Sequence, residues 1–438
     1  MKRIQEVVPS TTGVNMPISG AARSHCYISV RKRAEGEPKQ AALAAFVTDP
    51  SIKHVIVVDD DVDVFRHIDG IITIAVGDGT AVFDGTFGAD RQHFRTANWT
   101  RFTALERESR SSAGFHRRHE FVLRVAAHRN AAAAIAVVYP HMNSIGGDTV
   151  QMMNFAIDEV AKNFKGLVVG NQGANFSVGA NLMMLLLAAQ EEEWDDINMM
   201  VHTLQQAIMR LRYSAKPVVT APFGMVFGGG CEIALHGDRV RAAAETYIGL
   251  VEVGVGVIPA GGGTKEMTMR AMDAAAKAPD ADALAFLKKT FETIGMGKVA
   301  TSAQEAKAWG FLREVDSISM NGDRLIADAK EMVVGMDAVG YTPPVPREDI
   351  QVLGEQGQSA MKLALHMMKQ GGFISEHDQL IGHKLANVMS GGSANHKRLV
   401  SEQYLLDLER EAFISLCGER KTQERIAAML KTGKPLRN

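Results

Sequence analysis

Cysteine, net charge and long hydrophobic runs are all scarce in this sequence. Its three cysteines, Cys26, Cys231 and Cys417, are scattered over 438 residues, which excludes a disulfide framework and paired metal-ligand spacing. Lys and Arg total 48 against 50 Asp and Glu, so the charge balance gives no basis for binding nucleic acid. The apolar run at 182–189 is too short to cross a bilayer, and the N-terminus lacks the apolar core of a signal peptide. We therefore expect a cytoplasmic protein.

The clearest chemistry lies in residues 221–264. An apolar run, KPVVTAPFGMVF, ends at three glycines at 228–230, and a helical pattern begins at once. Glycines let the backbone approach a ligand closely, and a helix start directs free N–H groups at the same point. Glu232 follows in the first helical turn, and Glu252 lies in a later glycine-rich loop. The stretch predicts a site where negative charge develops on an oxygen beside two carboxylates.

Three separated motifs resemble the crotonase (enoyl-CoA hydratase/isomerase) superfamily. They are FKGLVVGNQGANFSVGANL at 164–182, GGGCE at 228–232 and GLVEVGVGVIPAGGGT at 249–264. From residue 141 onward the sequence resembles the crotonase part of bacterial fused 3-hydroxyacyl-CoA dehydrogenase/enoyl-CoA hydratases. The resemblance implies an α/β fold, a crotonase-like spiral of ββα units, followed by a helical C-terminal region.

The resemblance also implies roles for individual residues. The backbone N–H groups of Ala180 and Gly229 would form an oxyanion hole for the thioester oxygen. Glu232 and Glu252 match two glutamates that hold one water and act as general base and general acid. Each assignment has an alternative that stays open. Glu232 could only pair with the dipole at a helix start, Glu252 could be a surface acid, and the residues before Ala180 could form an ordinary tight turn. The residues implied to bind substrate are His141, Met142, Gly179 and Gly228.

These roles favour an acyl-CoA-binding enoyl-CoA hydratase of fatty-acid β-oxidation, with isomerase activity as a variant. The CoA thioester is the substrate, and we expect no tightly bound cofactor, no metal and a homo-oligomer. No strand followed by G-x-G-x-x-G and a helix is found, and GVGVIPAGGG at 254–263 is interrupted by Pro259, so NAD binding is not predicted. His236 is interpreted as a solvated or packing residue. A methionine-rich stripe that includes Met183 and Met184 is interpreted as core or acyl-pocket lining.

The N-terminal part does not resemble the same family. Residues 1–66 predict a small α/β fragment that resembles part of the UbiD family of prenylated-flavin decarboxylases. Acids at 59–63 in that fragment are either ligands for a flavin-phosphate metal or groups that solvate a strand end. Residues 67–139, in which Arg accumulates and strand or helix patterns are weak, predict a basic arm, a poorly ordered linker or a junction between fragments of two genes.

The predicted organisation is therefore a UbiD-like fragment at 1–66, a junction or linker at 67–139, a crotonase-like core at 140–335 and a helical region at 336–438. Crotonases carry a β-hairpin immediately before the motif at residue 141, and the sequence shows a junction segment there. A catalytically silent chimeric or truncated protein that only folds and oligomerises is the main alternative. A prenylated-flavin decarboxylase is a further one.

Overall fold

The computed structural model describes residues 144–438 except 172 and 279, together with the backbone of six strands in residues 1–143. These strands are β1 (Cys26–Val30), β2 (Val55–Asp59), β3 (Ile71–Val76), β4 (Gly79–Asp84), β5 (Val122–His128) and β6 (Ala131–Val137). β1 pairs in parallel with β2, and β3 pairs with β4 as an antiparallel hairpin. The helical part of the fragment predicted at 1–66, the Arg-rich segment 85–121, and the predicted substrate-binding residues His141 and Met142 lie outside the described residues.

Residues 144–438 alternate strands with helices and end in a helical region. The strands are β7 (Ser144–Ile145), β8 (Leu167–Gly170), β9 (Gly179–Ala180), β10 (Val218–Thr220), β11 (Gly224–Phe227), β12 (Arg239–Ala243), β13 (Thr246–Gly249), β14 (Ser317–Ser319), β15 (Ile350–Val352) and β16 (Arg398–Val400). The helices are α1 (Gly147–Asn163), α2 (Leu182–Gln190), α3 (Trp194–Arg212), α4 (Gly229–Leu235), α5 (Gly263–Ala276), α6 (Ala283–Gly295), α7 (Ala303–Ala308), α8 (Leu325–Ala338), α9 (Gly354–Gln370), α10 (Glu376–Met389), α11 (Glu402–Cys417) and α12 (Arg420–Thr432). In the described part of the chain, no helix is both long and apolar enough to span a membrane.

One six-stranded sheet forms the centre of this region, with the strand order β14-β12-β10-β8-β6-β5. β6 and β8, β8 and β10, β10 and β12, and β12 and β14 are parallel pairs. Every residue of β8 and β10 is buried, which is typical of parallel strands covered on both faces. Helix α8 packs against β6, β8, β10 and β12. Two shorter parallel pairs, β7 with β9 and β11 with β13, carry the loops of the candidate site.

The sheet extends further towards the N-terminus than the predicted start at residue 140. β6 pairs with β8 with Ala134 opposite Leu167, and β5 lies beside β6 at the sheet edge. Two strands therefore stand directly before residue 141, in the segment that the sequence analysis assigned to a junction. The sequence at 132–139 predicts a strand, but β6, AAAAIAV, consists largely of alanine, which has little preference for strands. The place of β6 in the central sheet was therefore not predicted.

The C-terminal helices continue the same hydrophobic core. α10 packs against α5 and α6, α11 against α3 and α5, and α12 against α2. Residues 131–438, with 117–125, form one compact unit, so contacts cross the predicted boundary at residue 335. The buried face of α11 is formed by Leu405, Leu406, Ala412 and Leu416, and Glu409 lies in the same stripe. This placement brings a charged residue of the helical region to the candidate site.

Candidate active site

A sharp turn from strand β11 into helix α4 forms one side of the site. Gly228 caps the helix with φ 53° and ψ −124°, a backbone conformation that residues with a Cβ rarely adopt. Its N–H donates to the carbonyl of Gly249 at 3.0 Å. A Cβ placed on Gly228 would lie 3.2 Å from Glu252 Oε1. Glycine at this position therefore lets a carboxylate approach the first turn of α4.

Strand β9 brings a second backbone segment against that turn. Gly179 has φ 99°, and a Cβ placed on it would lie 3.5 Å from the nitrogen of Gly229. The N–H of Asn181 donates to Ile145 of β7 at 3.3 Å. Because successive N–H groups of a strand point to opposite sides, the N–H of Ala180 is directed away from β7. A Cβ placed on Gly229 would lie 4.0 Å from the Ala180 nitrogen, so the two amides lie close together.

Glu232 is held in the first turn of α4 with its side chain 2% exposed. Its Oε1 accepts hydrogen bonds from the backbone N–H groups of Gly261 at 2.7 Å and Gly263 at 2.8 Å. Its Oε2 lies 3.8 Å from a Cβ position on Gly229. Burial raises the pKa of Glu232 to about 7, although the two amides and the charge of Lys265 oppose the rise. Glu232 is therefore poised to exchange a proton near neutral pH.

Glu252 follows β13 at the start of a short 3₁₀ turn, Glu252–Val255. The residue as a whole is half-buried, yet both carboxylate oxygens are buried and accept no hydrogen bond of ordinary geometry from the described residues. Burial first, and then the negative charge of Glu232, raise the pKa of Glu252 well above its usual range. The backbone amides of Val251 and Glu252 oppose this rise only in part. The two glutamates thus share one buried environment.

A third buried carboxylate, Glu409 of α11, reaches the same glycine loop. It is 0% exposed, and it accepts the N–H of Gly262 at 2.6 Å and the N–H of Lys265 at 2.9 Å. Burial and then the charge of Glu232 raise the pKa of Glu409. Glu409 was not among the site residues predicted from the sequence. The available signal was its position among the apolar residues Leu405, Ala412 and Leu416 on one face of the helix.

His236 and Lys265 form a buried polar cluster behind α4. His236 Nδ1 lies 2.7 Å from the carbonyl oxygen of Glu232, which can only accept, so this nitrogen carries the proton. Lys265 Nζ donates to His236 Nε2 at 3.0 Å and to Glu402 at 2.7 Å. Burial first, and then the charge of Lys265, lower the pKa of His236 well below its usual range. His236 is thus a packing residue with a fixed tautomer, and the interpretation as a solvated group is wrong.

The structure brings together six of the eight predicted site residues, and the other two, His141 and Met142, fall outside the described residues. The predicted core role of the methionine stripe is wrong for Met183 and Met184, which are about half exposed on α2. Among the described residues, no group of three or more His, Cys, Asp or Glu side chains is arranged to hold a metal ion.

Comparison with known proteins shows which family this part of the chain resembles. Residues 127–337 match the family described as enoyl-CoA hydratase/isomerase. These residues are therefore similar to that family. The crotonase fold is also seen in the crystal structure of a carnitinyl-CoA dehydratase from Mycobacterium thermoresistibile, with a TM-score of 0.51, 16% identity and coverage of 70% of this chain and 89% of that chain. The predicted α/β crotonase fold is confirmed.

A longer relative is similar to more than two thirds of this chain. A probable 3-hydroxyacyl-CoA dehydrogenase of Bacillus subtilis (strain 168) is 47% identical over 305 residues, which cover 70% of this chain and 38% of the relative. The chain therefore spans less than two-fifths of the length of that relative. The predicted resemblance to the fused dehydrogenase/hydratases is confirmed.

The N-terminal resemblance is confirmed as well. Residues 1–75 match the C-terminal domain of 3-octaprenyl-4-hydroxybenzoate carboxy-lyase. An anhydromevalonate phosphate decarboxylase of Methanocaldococcus jannaschii is 42% identical over 65 residues, which cover 15% of each chain. The chain therefore contains segments that are similar to two different families.

Proposed function

We propose that the crotonase-like domain is an enoyl-CoA hydratase of fatty-acid β-oxidation, which adds water across the conjugated double bond of a 2-enoyl-CoA. The observation that carries the proposal is the Glu252 carboxyl group, which lies beside Glu232 and two backbone amides. Its buried oxygens accept no hydrogen bond of ordinary geometry from the described residues. A buried carboxylate without partners costs free energy, and a water held between the two glutamates would satisfy it.

The amides of Ala180 and Gly229 supply the electrostatic part of the proposed reaction. As hydroxide adds to C3 of the enoyl group, the electron pair of the double bond moves towards the thioester oxygen. Two fixed N–H donors stabilise that oxygen without reorganising, and the loss of one such donor typically slows a reaction by about 10²–10³-fold. Gly179 and Gly228 serve this arrangement because their backbone conformations let the two segments approach each other.

The two glutamates divide the proton transfers according to their environments. Glu232 is stabilised as a carboxylate by two amides, so it takes a proton from water as general base. Glu252 keeps its proton to higher pH, because burial and the Glu232 charge both disfavour its ionised form, so it donates to C2 as general acid. The product is a 3-hydroxyacyl-CoA, and exchange of protons with the next water restores both groups. No tightly bound cofactor enters this scheme, and the CoA thioester is the substrate.

The test is hydration of but-2-enoyl-CoA by the purified full chain, followed by loss of the absorbance of the conjugated thioester. We expect turnover by the parent protein and a loss of about 10²–10⁴-fold in kcat for E232Q and for E252Q. E411Q makes the same chemical change at an exposed position of α11 and is expected to retain the parental rate. Equal rates for the parent and both site variants would refute the assigned roles, and an inactive parent would favour a silent chimeric protein. Size-exclusion chromatography of the same sample tests the proposed homo-oligomer.

A further inference from the structure

The loop from Ala260 to Lys265 is shared between two carboxylates that approach it from different elements. The N–H groups of Gly261 and Gly263 donate to Glu232 of α4 at 2.7 and 2.8 Å. The N–H groups of Gly262 and Lys265 donate to Glu409 of α11 at 2.6 and 2.9 Å. The amides of successive residues 261, 262 and 263 therefore alternate between the two carboxylates, so the position of one carboxylate constrains the other through a single loop.

We propose that Glu409 is a positioning residue for Glu232: it fixes the glycine loop whose amides hold the Glu232 carboxylate in place. Glu409 acts through Gly262 and Lys265 and takes no part in the chemistry itself. The inference rests on the proposed function only for its catalytic consequence, because the hydrogen bonds themselves belong to the fold. It assigns the C-terminal helical region, through α11, a direct part in shaping the active site.

Gln205 of α3 completes the clamp on this loop. Its side chain is 0% exposed, and its Nε2 donates to the carbonyl of Ala260 at 2.7 Å and to the carbonyl of Leu406 at 2.9 Å. The same nitrogen lies 3.4 Å from Glu409 Oε1. Gln205 thus ties the first residue of the loop to helix α11, one turn before Glu409. Gln205 binds a carbonyl group of the loop, and Glu409 binds two of its N–H groups.

The geometry requires two acceptor oxygens at position 409. Oε1 receives the Gly262 N–H and Oε2 receives the Lys265 N–H, so both ends of the side chain must accept. A glutamine there would place its NH₂ group against one of these N–H donors. Two donors facing each other in a buried site lose the hydrogen bond and repel each other. E409Q is therefore a change of equal size that should displace the loop.

The first test compares the kinetics of E409Q with those of the parent and E411Q, using but-2-enoyl-CoA and the full chain. A displaced loop moves Glu232, and a shift of about 1 Å at a reacting group can cost about 10²-fold in rate. We expect kcat to fall by about that factor with KM within twofold of the parent, since Glu409 does not contact the substrate. E411Q should match the parent. An E409Q rate equal to that of an active parent would overturn the inference.

The second test does not depend on activity, so it separates this inference from the proposed function. Amide hydrogen exchange is measured by mass spectrometry on peptides that cover residues 257–267. We expect E409Q to exchange at least tenfold faster in this segment than the parent, with E411Q unchanged. Unchanged exchange in E409Q would overturn the inference even if the parent is an active hydratase. If the parent shows no hydratase activity but E409Q accelerates exchange, the positioning role stands and the proposed function fails.

A variant that keeps the charge covers the case in which E409Q does not fold. E409D retains two acceptor oxygens and shortens the side chain by one methylene, so it can reach one loop amide but not both at normal length. We expect exchange and kcat for E409D to lie between those of the parent and those of a variant without the carboxylate, E409A. Parental values for E409D and E409A together would overturn the inference.

Discussion

Replacing Glu232 by Gln should make the protein more stable at pH 8 while it removes the proposed general base. Glu232 is buried, and its pKa of about 7 in the folded protein compares with an ordinary value of 4.5. Gln retains an oxygen that can accept the two amides of Gly261 and Gly263, so the substitution removes the buried charge without removing those hydrogen bonds. The variant therefore isolates the free-energy cost of ionising this carboxyl group inside the fold.

The size of the effect follows from the difference in pKa. A rise from 4.5 to about 7 corresponds to about 3 kcal/mol, because each pKa unit is worth about 1.4 kcal/mol. Because the folded-state pKa is raised, the protonated form contributes stability that is fully present below pH 4.5 and is lost as the pH rises through 7. The parent should thus bear the whole cost at pH 8 and only about 1 kcal/mol of it at pH 5. Removing the Glu232 charge also eases ionisation of Glu252, which acts in the same direction.

The assay is thermal unfolding of parent, E232Q and E411Q at pH 5 and pH 8. With a shift of about 2 °C per kcal/mol for a domain of this size, E232Q should unfold about 6 °C above the parent at pH 8 and about 2 °C above it at pH 5. E411Q, at an exposed position, should follow the parent at both pH values. A difference that is the same at the two pH values, or a lower unfolding temperature for E232Q at pH 8, would refute the reasoning.

Further predictions concern the pH dependence of the rate and the glycine loop. The value of kcat/KM for hydration should rise as the pH increases through about 7, because Glu232 then loses its proton. It should fall at higher pH, because Glu252 then loses its own proton. A flat profile of kcat/KM between pH 5 and 10 would contradict this division of roles. G262A should lower stability by about 1–3 kcal/mol, because Gly262 has φ 109° and a Cβ there would lie 2.9 Å from His236 Cε1. G335A lies inside α8 with open space around the added Cβ, so it should raise stability by about 0.5–1 kcal/mol. Unfolding temperatures that change equally in G262A and G335A would show that the backbone conformation of the glycine does not decide the effect.

The crotonase fold was predictable because its motifs depend on backbone needs that only certain residues meet. Gly228 has a positive φ, so a side chain there would strain the turn, and the glycine is visible in the sequence. β8 and β10 were predictable as strands because each is a short run dominated by apolar residues. β6 was recognised as a strand in part, but its place beside β8 depends on pairing between distant segments. Its alanines gave no sign of the partner.

Sequence patterns did not predict which polar side chains would be buried. Glu409 and Gln205 lie on helices separated by about two hundred residues of chain, and they meet only because α3 and α11 pack against each other. Met183 and Met184 were predicted as core or acyl-pocket lining. Both are half exposed, so the core alternative is wrong for them, and the role in an acyl pocket stays a prediction. A local pattern states which residues could be buried, whereas packing decides which ones are.

The sequence by itself determined where the glycines and the two glutamates stand, because their spacing is fixed along the chain and their chemistry is intrinsic to the residue type. Only the tertiary structure decided how easily those glutamates ionise and what holds them. The physical reason is that a pKa depends on the loss of water and on charges brought close in space, and both arise when α4, α11 and the loop of Gly261–Gly263 meet.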